Sequence, residues 1–149
     1  GVCFAMFGDD ARELKAQLEA EFSNAVLSVS PNNHRPELDD WMTALDAHLS
    51  GVADRPELPL DMRGTAFQIQ TWTFLLSIEE GEVVSYGELA AGIGRPKAFR
   101  AAASACAKNR LAVLVPCHRV LRGNGGVGGY RWGVDRKRAL LEMERLGKR

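Results

Sequence analysis

The sequence has few cysteines, and their arrangement excludes two common uses of this residue. Its 149 residues include three cysteines, and no two of them stand at the short spacing of a zinc-ligand pair. The three histidines are equally scattered. An odd number of cysteines without paired spacing also argues against a disulfide framework. We therefore expect a protein of a reducing compartment, with no disulfide and no metal site.

Long apolar runs are also missing. No stretch approaches the roughly 20 residues that a membrane-spanning helix needs, and the first residues lack the pattern of a secretory signal. The composition is otherwise that of an ordinary folded protein, with 46% apolar and 26% charged residues. Disorder and a membrane-spanning role are therefore both disfavoured.

Acidic residues are scarce in the second part of the chain, although the formal net charge of the whole is zero. Residues 1–94 carry 5 Lys and Arg against 16 Asp and Glu, whereas residues 95–149 carry 14 against 3. Two lobes that attract each other would explain this division. We favour a different explanation, in which the basic part faces a polyanion, most simply nucleic acid.

Turn residues and hydrophobic spacing divide the chain into two lobes. Apolar runs predict strands at residues 2–7 and 25–29, and apolar residues at helical spacing predict helices between and after them. Two prolines mark residues 51–60 as a linker. We expect an α/β amino-terminal lobe over residues 1–60 and a mostly helical carboxy-terminal lobe over residues 61–149.

The second lobe contains a helix-turn-helix pattern. Ser85, with Glu88 three residues later, has the capping-box spacing that begins a helix. The segment 92–96 interrupts it, and a second helix is predicted over residues 96–108. After Arg100 this second helix carries almost only small side chains. It can therefore pack tightly on another helix or, in a basic lobe, approach the narrow minor groove of DNA.

The strongest chemical signal is the pentapeptide Pro116-Cys117-His118-Arg119-Val120. It follows the apolar run 111–115, which predicts a buried strand ending at a fixed point. An adjacent imidazole can take the proton of a thiol and leave the more nucleophilic thiolate. A working pair needs a third group to orient the ring. Spacing alone does not choose among the three acids of the predicted last helix, residues 134–146: Asp135, Glu142 and Glu144.

Together these segments resemble the O6-alkylguanine-DNA alkyltransferase family. Besides the pentapeptide, segments similar to the family occur in the family's order at residues 64–68, 81–86, 95–98, 109 and 129–133. The resemblance covers the whole second lobe and, weakly, the first lobe at residues 8–10. The sequence of these motifs is most similar to that of the carboxy-terminal domain of bacterial Ada-type proteins.

The resemblance carries expectations about fold and setting. It implies a ribonuclease-H-like amino-terminal lobe, which this chain enters partway through its sheet, and a winged helix-turn-helix in the second lobe. It also implies a monomer of the bacterial cytosol that binds double-stranded DNA through the minor groove. An Ada-type amino-terminal domain would belong to a longer protein. The family's zinc sites do not map onto this sequence, so neither a metal nor a cofactor is predicted.

The resemblance further implies direct reversal of DNA damage. Cys117 would accept the alkyl group from O6 of a flipped guanine, once per molecule, as a methylated-DNA–protein-cysteine S-methyltransferase. His118 would deprotonate Cys117 through a water, with Glu144 orienting the ring. Asn109 would brace the active-site turn. Tyr86 would press on the phosphate of the target nucleotide and help to protonate the leaving base.

Other positions would contact the nucleic acid. Arg100 would occupy the gap left by the flipped base. Three neighbours on the same predicted helix would lie against the duplex: Ala101, Ala102 and Ser104. Four positions would line the guanine pocket, mostly through backbone groups: Val115, Val127, Gly128 and Arg131.

Two other classes of function compete with this interpretation. One is a non-catalytic helix-turn-helix module that recognises alkylated DNA or regulates transcription. The other is a cysteine hydrolase acting on small molecules, which the basic lobe and the helix-turn-helix pattern disfavour.

Overall fold

The computed structural model describes residues 1–29 and 36–147. These residues form a small, mostly helical α/β fold. Its elements are α1 (Ala11–Glu21), α2 (Pro36–Leu49), α3 (Ala66–Leu76), β1 (Val84–Ser85), α4 (Tyr86–Gly92), α5 (Phe99–Ala107), a 3₁₀ turn (Cys117–Arg119), β2 (Val120–Leu121) and α6 (Val134–Gly147). None of the described helices is long and apolar enough to cross a membrane.

The strands predicted in the first lobe do not form a sheet. In the segment 2–7, Val2 and Ala5 each make one isolated parallel bridge, and the segment forms no continuous ladder. The strand predicted at 25–29 is wrong, since its residues pair with no described strand and Val26 and Val29 are 98% and 93% exposed. An apolar run needs both a pairing partner and a buried face to become a strand. The ribonuclease-H-like arrangement is therefore not confirmed.

Helix termini follow the capping pattern of the sequence. Ser85 accepts a hydrogen bond from the backbone of Glu88, whose side chain bonds back to Ser85, and α4 begins there as predicted. Thr65 begins α3 in the same way. The second helix of the helix-turn-helix starts at Phe99 rather than at Pro96. The reason is that residues 95–98 form a hydrogen-bonded turn, and Ala98 then provides no capping side chain.

The core lies where α3, α4 and α5 meet. Trp72 and Leu75 of α3 and Leu89 of α4 are buried there against the small residues of α5. The indole nitrogen of Trp72 donates to the carbonyl of Ala105 at 2.9 Å, which satisfies a polar group inside an apolar cluster. The short parallel pair β1–β2 then joins the start of α4 to the segment that follows the 3₁₀ turn. The core thus positions the helix-turn-helix and the Cys-His segment against one another.

Residues of the first lobe pack directly on the second. The backbone of Ala5 exchanges hydrogen bonds with Arg110 and Ala112. Asp9 accepts from Arg136 at 2.8 Å. A division of the chain at residue 60 stays a prediction.

The close approach of α3 to α4 yields a prediction about two glycines of one helix. A Cβ at Gly92 would lie 2.3 Å from the ring of Phe74, whereas at Gly87 the nearest atom is 3.7 Å away. Gly87→Ala should leave stability unchanged or raise it by up to about 1 kcal/mol, because alanine favours helix. Gly92→Ala should instead lower it by about 1–3 kcal/mol through overpacking. Urea unfolding of both variants checks this, and a Gly92→Ala protein as stable as Gly87→Ala would contradict the packing.

Candidate active site

Asn109 shapes the buried turn that leads to Cys117. Its Oδ1 accepts a hydrogen bond from the backbone N–H of Leu111 at 2.9 Å. Its Nδ2 donates to the carbonyls of Leu111 and Val115, at 3.3 and 3.0 Å. The same Nδ2 lies 3.3 Å from Sγ of Cys117. One buried amide therefore holds the turn and the thiol in a fixed relation, which is the geometry that a bracing role requires.

The apolar run 111–115 is buried as predicted, but it is a turn and not a strand. Val115 N–H bonds to the carbonyl of Leu111, and Val113 has a positive φ of 69°. A β-branched residue in this region is strained by roughly 1–3 kcal/mol. Five consecutive apolar residues fit a buried turn as well as a buried strand. The polar side chain of Asn109 satisfies backbone groups that a neighbouring strand would otherwise bond.

Cys117 opens the 3₁₀ turn and is 4% exposed. Burial raises the pKa of its thiol to about 11, although the hydrogen bond from Asn109 and the charge of Lys137 act in the opposite direction. At neutral pH the group is therefore a thiol rather than a thiolate. Reaction needs a base that takes its proton as the nucleophile attacks.

His118 is fully buried, and Glu144 of α6 holds one end of its ring. The distance from Nε2 of His118 to Oε1 of Glu144 is 2.6 Å. Arg119 donates to both oxygens of the same carboxylate, at 3.0 and 2.8 Å, and to the carbonyl of Ile78. Of the three acids on α6, the structure thus brings Glu144 to the ring.

The protonation states in this cluster follow from burial and charge. Burial would raise the pKa of Glu144, but hydrogen bonds from His118 and Arg119 outweigh it and lower the pKa to about 2. Burial lowers the pKa of His118, against the opposing effect of Glu144. A charged Glu144 is therefore balanced by Arg119, and the imidazole is neutral at pH 7.

A neutral imidazole has one donor and one acceptor nitrogen, and Glu144 fixes which is which. Since Nε2 faces a carboxylate, it carries the proton, and the lone pair is on Nδ1. Among the described residues Nδ1 of His118 has no hydrogen-bond partner. This atom is therefore the ring nitrogen of His118 that can accept a proton.

Sequence reasoning missed two buried cations, Arg119 and Lys137. Arg119 is 1% exposed and Lys137 is fully buried, with its Nζ 2.6 Å from the carbonyl of Val120 and 3.1 Å from that of Gly129. Burial lowers the pKa of Lys137. A signal for Lys137 exists in the sequence, because it lies three residues before Leu140 and so shares the buried face of α6.

A cavity of about 500 Å³ adjoins Cys117. We call it the thiol cavity, and its walls include Tyr86, Ala103, Cys106, Cys117, Tyr130 and Arg131. Its volume is within the range typical of small-molecule binding pockets. Burial raises the pKa of the Tyr86 hydroxyl to about 12, so Tyr86 is a proton donor at neutral pH.

The other predicted pocket positions differ in their placement. Arg131 lines the thiol cavity and donates to the carbonyl of Asn109 at 2.9 Å. Gly128, with φ of 74°, lies beside Tyr86, since a Cβ there would be 3.4 Å from the ring. Val127 is half-buried on the same loop. Val115 is fully buried, and Asn109 bonds its carbonyl.

The predicted DNA-contacting residues of α5 fall on two faces. Arg100, Ala101 and Ser104 are exposed. Ala102 is fully buried in the core, so its side chain does not face outwards with the other three, and its contact with DNA stays a prediction. The helical period turns position 102 towards the other helices while its neighbours face outwards.

Within residues 1–29 and 36–147, no group of three His, Cys, Asp or Glu side chains could hold a metal ion.

Comparison with known proteins gives consistent matches. A family model described as 6-O-methylguanine DNA methyltransferase, DNA binding domain, matches residues 66–146. The bifunctional transcriptional activator/DNA repair enzyme Ada of Escherichia coli is 47% identical over 147 residues, 97% of this chain and 40% of Ada. A methylated-DNA–protein-cysteine methyltransferase of Mycobacterium bovis is 48% identical over 101 residues, 68% of this chain and 61% of that protein.

A solved structure is also similar. Mycobacterium tuberculosis OGT in complex with DNA has a TM-score of 0.72 and 40% sequence identity, over 83% of this chain and 79% of that one. The chain spans less than two thirds of the length of both curated relatives named above.

The contacts of Asn109 predict a large effect from its removal. Asn109→Ala leaves the Leu111 N–H buried without a partner and removes one of the two hydrogen bonds to the Val115 carbonyl, which keeps the bond from the Cys117 N–H, and it should lower the free energy of unfolding by about 1–3 kcal/mol. Asn124→Ala is the control, since Asn124 bonds one exposed backbone group and should cost less than about 1 kcal/mol. Denaturant unfolding measures both. Equal losses would mean that the buried amide does not hold the turn.

The lowered pKa of Glu144 predicts a pH dependence of stability. A carboxylate with a folded-state pKa of about 2, below its ordinary 4.5, stabilises the fold above pH 4.5. That contribution is lost as the pH falls towards 2. The stability gap between the parent chain and Glu144→Gln should therefore be largest near neutral pH and shrink in acid. The gap for Glu19→Gln, an exposed carboxylate of α1, should stay small throughout. A Glu144 gap that does not change between pH 7 and pH 3 would contradict the assignment.

Proposed function

The chain belongs to the 6-O-methylguanine DNA methyltransferase family, and from that premise we propose that it repairs alkylated DNA by direct reversal. In this proposal an alkyl group, most simply methyl, moves from O6 of guanine in double-stranded DNA to Cys117. The observation that carries it is a buried thiol beside a cavity, with a neutral imidazole held by a charged carboxylate next to it. The basic second lobe supports DNA as the partner.

The reaction is an in-line displacement in which every proton has an acceptor. The thiol proton of Cys117 passes through a water to Nδ1 of His118. Sγ bonds the alkyl carbon as the bond from that carbon to O6 breaks. The hydroxyl of Tyr86 helps to protonate the leaving guanine, and the proton held by His118 then returns through water to Tyr86, so both side chains end in their starting states. Glu144 stabilises the imidazolium that forms, because its carboxylate already faces Nε2 at 2.6 Å.

Burial, together with the charge of Arg119, explains why the imidazole does not hold this proton beforehand. Its guanidinium already neutralises Glu144, so a second cation on His118 would be buried without a full counter-charge. The ring therefore stays neutral until the thiol gives up its proton. The product is a thioether, which does not hydrolyse under ordinary conditions, so each molecule acts once.

Helices α4 and α5 are the proposed DNA-binding element, acting in the minor groove. The exposed Ala101 and Ser104 give α5 a smooth outer face, and Arg100 on the same face would fill the space of the flipped base. The wing of this element, the ribonuclease-H-like first lobe and the lining of the guanine pocket by Val127 and Gly128 belong to the same proposal.

The proposed setting is a bacterial cytosol, with the protein acting as a monomer. An Ada-type amino-terminal domain in a longer protein is proposed on the identity with Ada over 97% of this chain. These features follow from family membership rather than from a contact in the structure.

Cys117→Ala separates repair from binding. Removing the thiol should abolish transfer, while affinity for a duplex containing O6-methylguanine should change less than about twofold, because the cysteine is 4% exposed. Intact-protein and peptide mass spectrometry should find one methyl group per parent molecule, on Cys117. Label on another residue, or repeated turnover, would overturn the proposal. Loss of duplex binding together with transfer would favour a module in which the cysteine recognises damage.

A further inference from the structure

A second cavity, of about 430 Å³, lies next to the thiol cavity. The two share Ala107 and Arg131 in their walls. We call it the basic cavity, because four cationic side chains line it and one acidic side chain does: Arg63, Lys108, Arg110 and Arg131, with Glu21. The reaction described above uses none of these charges, although Arg131 also lines the thiol cavity.

The charges in the basic cavity do not balance. Glu21 is shared, since Arg110 bonds one of its oxygens at 2.8 Å and Arg131 bonds the other. Arg63 pairs with Asp61 at 2.8 Å and remains 65% exposed at its side chain. Lys108, at the end of α5, is exposed and forms no ion pair within the described part of the chain. Two carboxylates, those of Glu21 and Asp61, thus face four cationic side chains and cannot neutralise all of them.

The cations are also within reach of a ligand. The side chains of Arg110 and Arg131 are 34% and 25% exposed, so an anion can contact them without unfolding the lobe. Guanidinium groups bind phosphate through paired donors, and an ammonium adds a mobile point charge. Three guanidinium groups and one ammonium around a polar cavity therefore fit a phosphate group.

The position of the basic cavity indicates which phosphate of the DNA it would bind. A nucleotide whose base enters the thiol cavity leaves its sugar and phosphate outside it, and the exposed Ala107 and Arg131 form walls of both the thiol cavity and the basic cavity. We propose that the basic cavity binds a backbone phosphate of the damaged strand, next to the extruded nucleotide. This inference rests on the function proposed above and adds a subsite to it.

The test measures the salt dependence of binding to a duplex with one O6-methylguanine, in the Cys117→Ala background so that no transfer intervenes. Lys108→Ala and Arg63→Ala should each reduce the slope of log K against log salt by about 1, and lower affinity roughly three- to tenfold at about 0.1 M salt. Arg138→Ala is the matched control, because Arg138 is 62% exposed and faces an aspartate as Arg63 does. Slopes for Lys108→Ala and Arg63→Ala equal to that of Arg138→Ala would overturn the subsite.

A second arm locates the phosphate. Single methylphosphonate linkages, which remove one charge, are placed in turn along the damaged strand. At one or two consecutive positions beside the lesion the loss should not add to that of Lys108→Ala, because both changes remove the same contact. Additive losses at every position would count against the assignment. A second result would also count against it. If inorganic phosphate protects the parent chain from thermal unfolding but does not protect Lys108→Ala, and the salt slopes for the duplex are unchanged, the cavity binds free phosphate instead.

A third experiment distinguishes a failure of the phosphate subsite from a failure of the proposed function. Free O6-methylguanine base has no phosphate, so its transfer to Cys117 should proceed at the same rate in the parent chain and in Lys108→Ala. If neither the base nor the duplex alkylates Cys117 in the parent chain, the proposed function fails. If both do and the slopes do not change, the phosphate subsite alone fails.

Discussion

The buried carboxylate of Glu144 is the interaction on which the rest of the site depends. It receives two hydrogen bonds from Arg119 and one from His118, and the backbone N–H of Gly81 lies 3.5 Å from it. These groups come from the last helix, the 3₁₀ turn and the loop before β1. A buried carboxylate is tolerated only when its partners are in place. The ionised state of one side chain therefore requires three separate segments to be correctly assembled.

The position and the protonation state of the Cys117 thiol are set by different features of its surroundings. Asn109 fixes where Sγ of Cys117 lies, while burial keeps the thiol protonated. The imidazole of His118 is neutral because burial lowers its pKa and because Arg119 already compensates the charge of Glu144. A thiol held in this way is protected from stray electrophiles and oxidants, since the thiolate is the reactive form. Its chemistry is thus confined to a ligand that fills the cavity beside it.

Sequence patterns predicted those parts of the fold in which local chemistry decides the structure. The capping box at Ser85, the last helix and the Cys-His pair depend on residues a few positions apart, and periodicity or adjacency finds them. The strand predicted at 111–115 was wrong because the backbone there bonds within its own turn and to the side chain of Asn109, which no strand pattern encodes. The choice of Glu144 among three acids came from the family resemblance. Spacing could not make it, because the partner is distant in sequence.

The contact between the two lobes has an electrical consequence. The acidic first part of the chain is held to the basic second part by Glu21 and Asp9, so the charges of the sequence become separated across one folded body. A body with no net charge but a permanent dipole feels a torque near a polyelectrolyte and, because the field there is not uniform, is also attracted once it is aligned. Within a Debye length of about 10 Å at 0.1 M salt, that torque turns the basic lobe inwards and the acidic lobe away. Encounters then begin in one orientation, which shortens the rotational search that precedes docking.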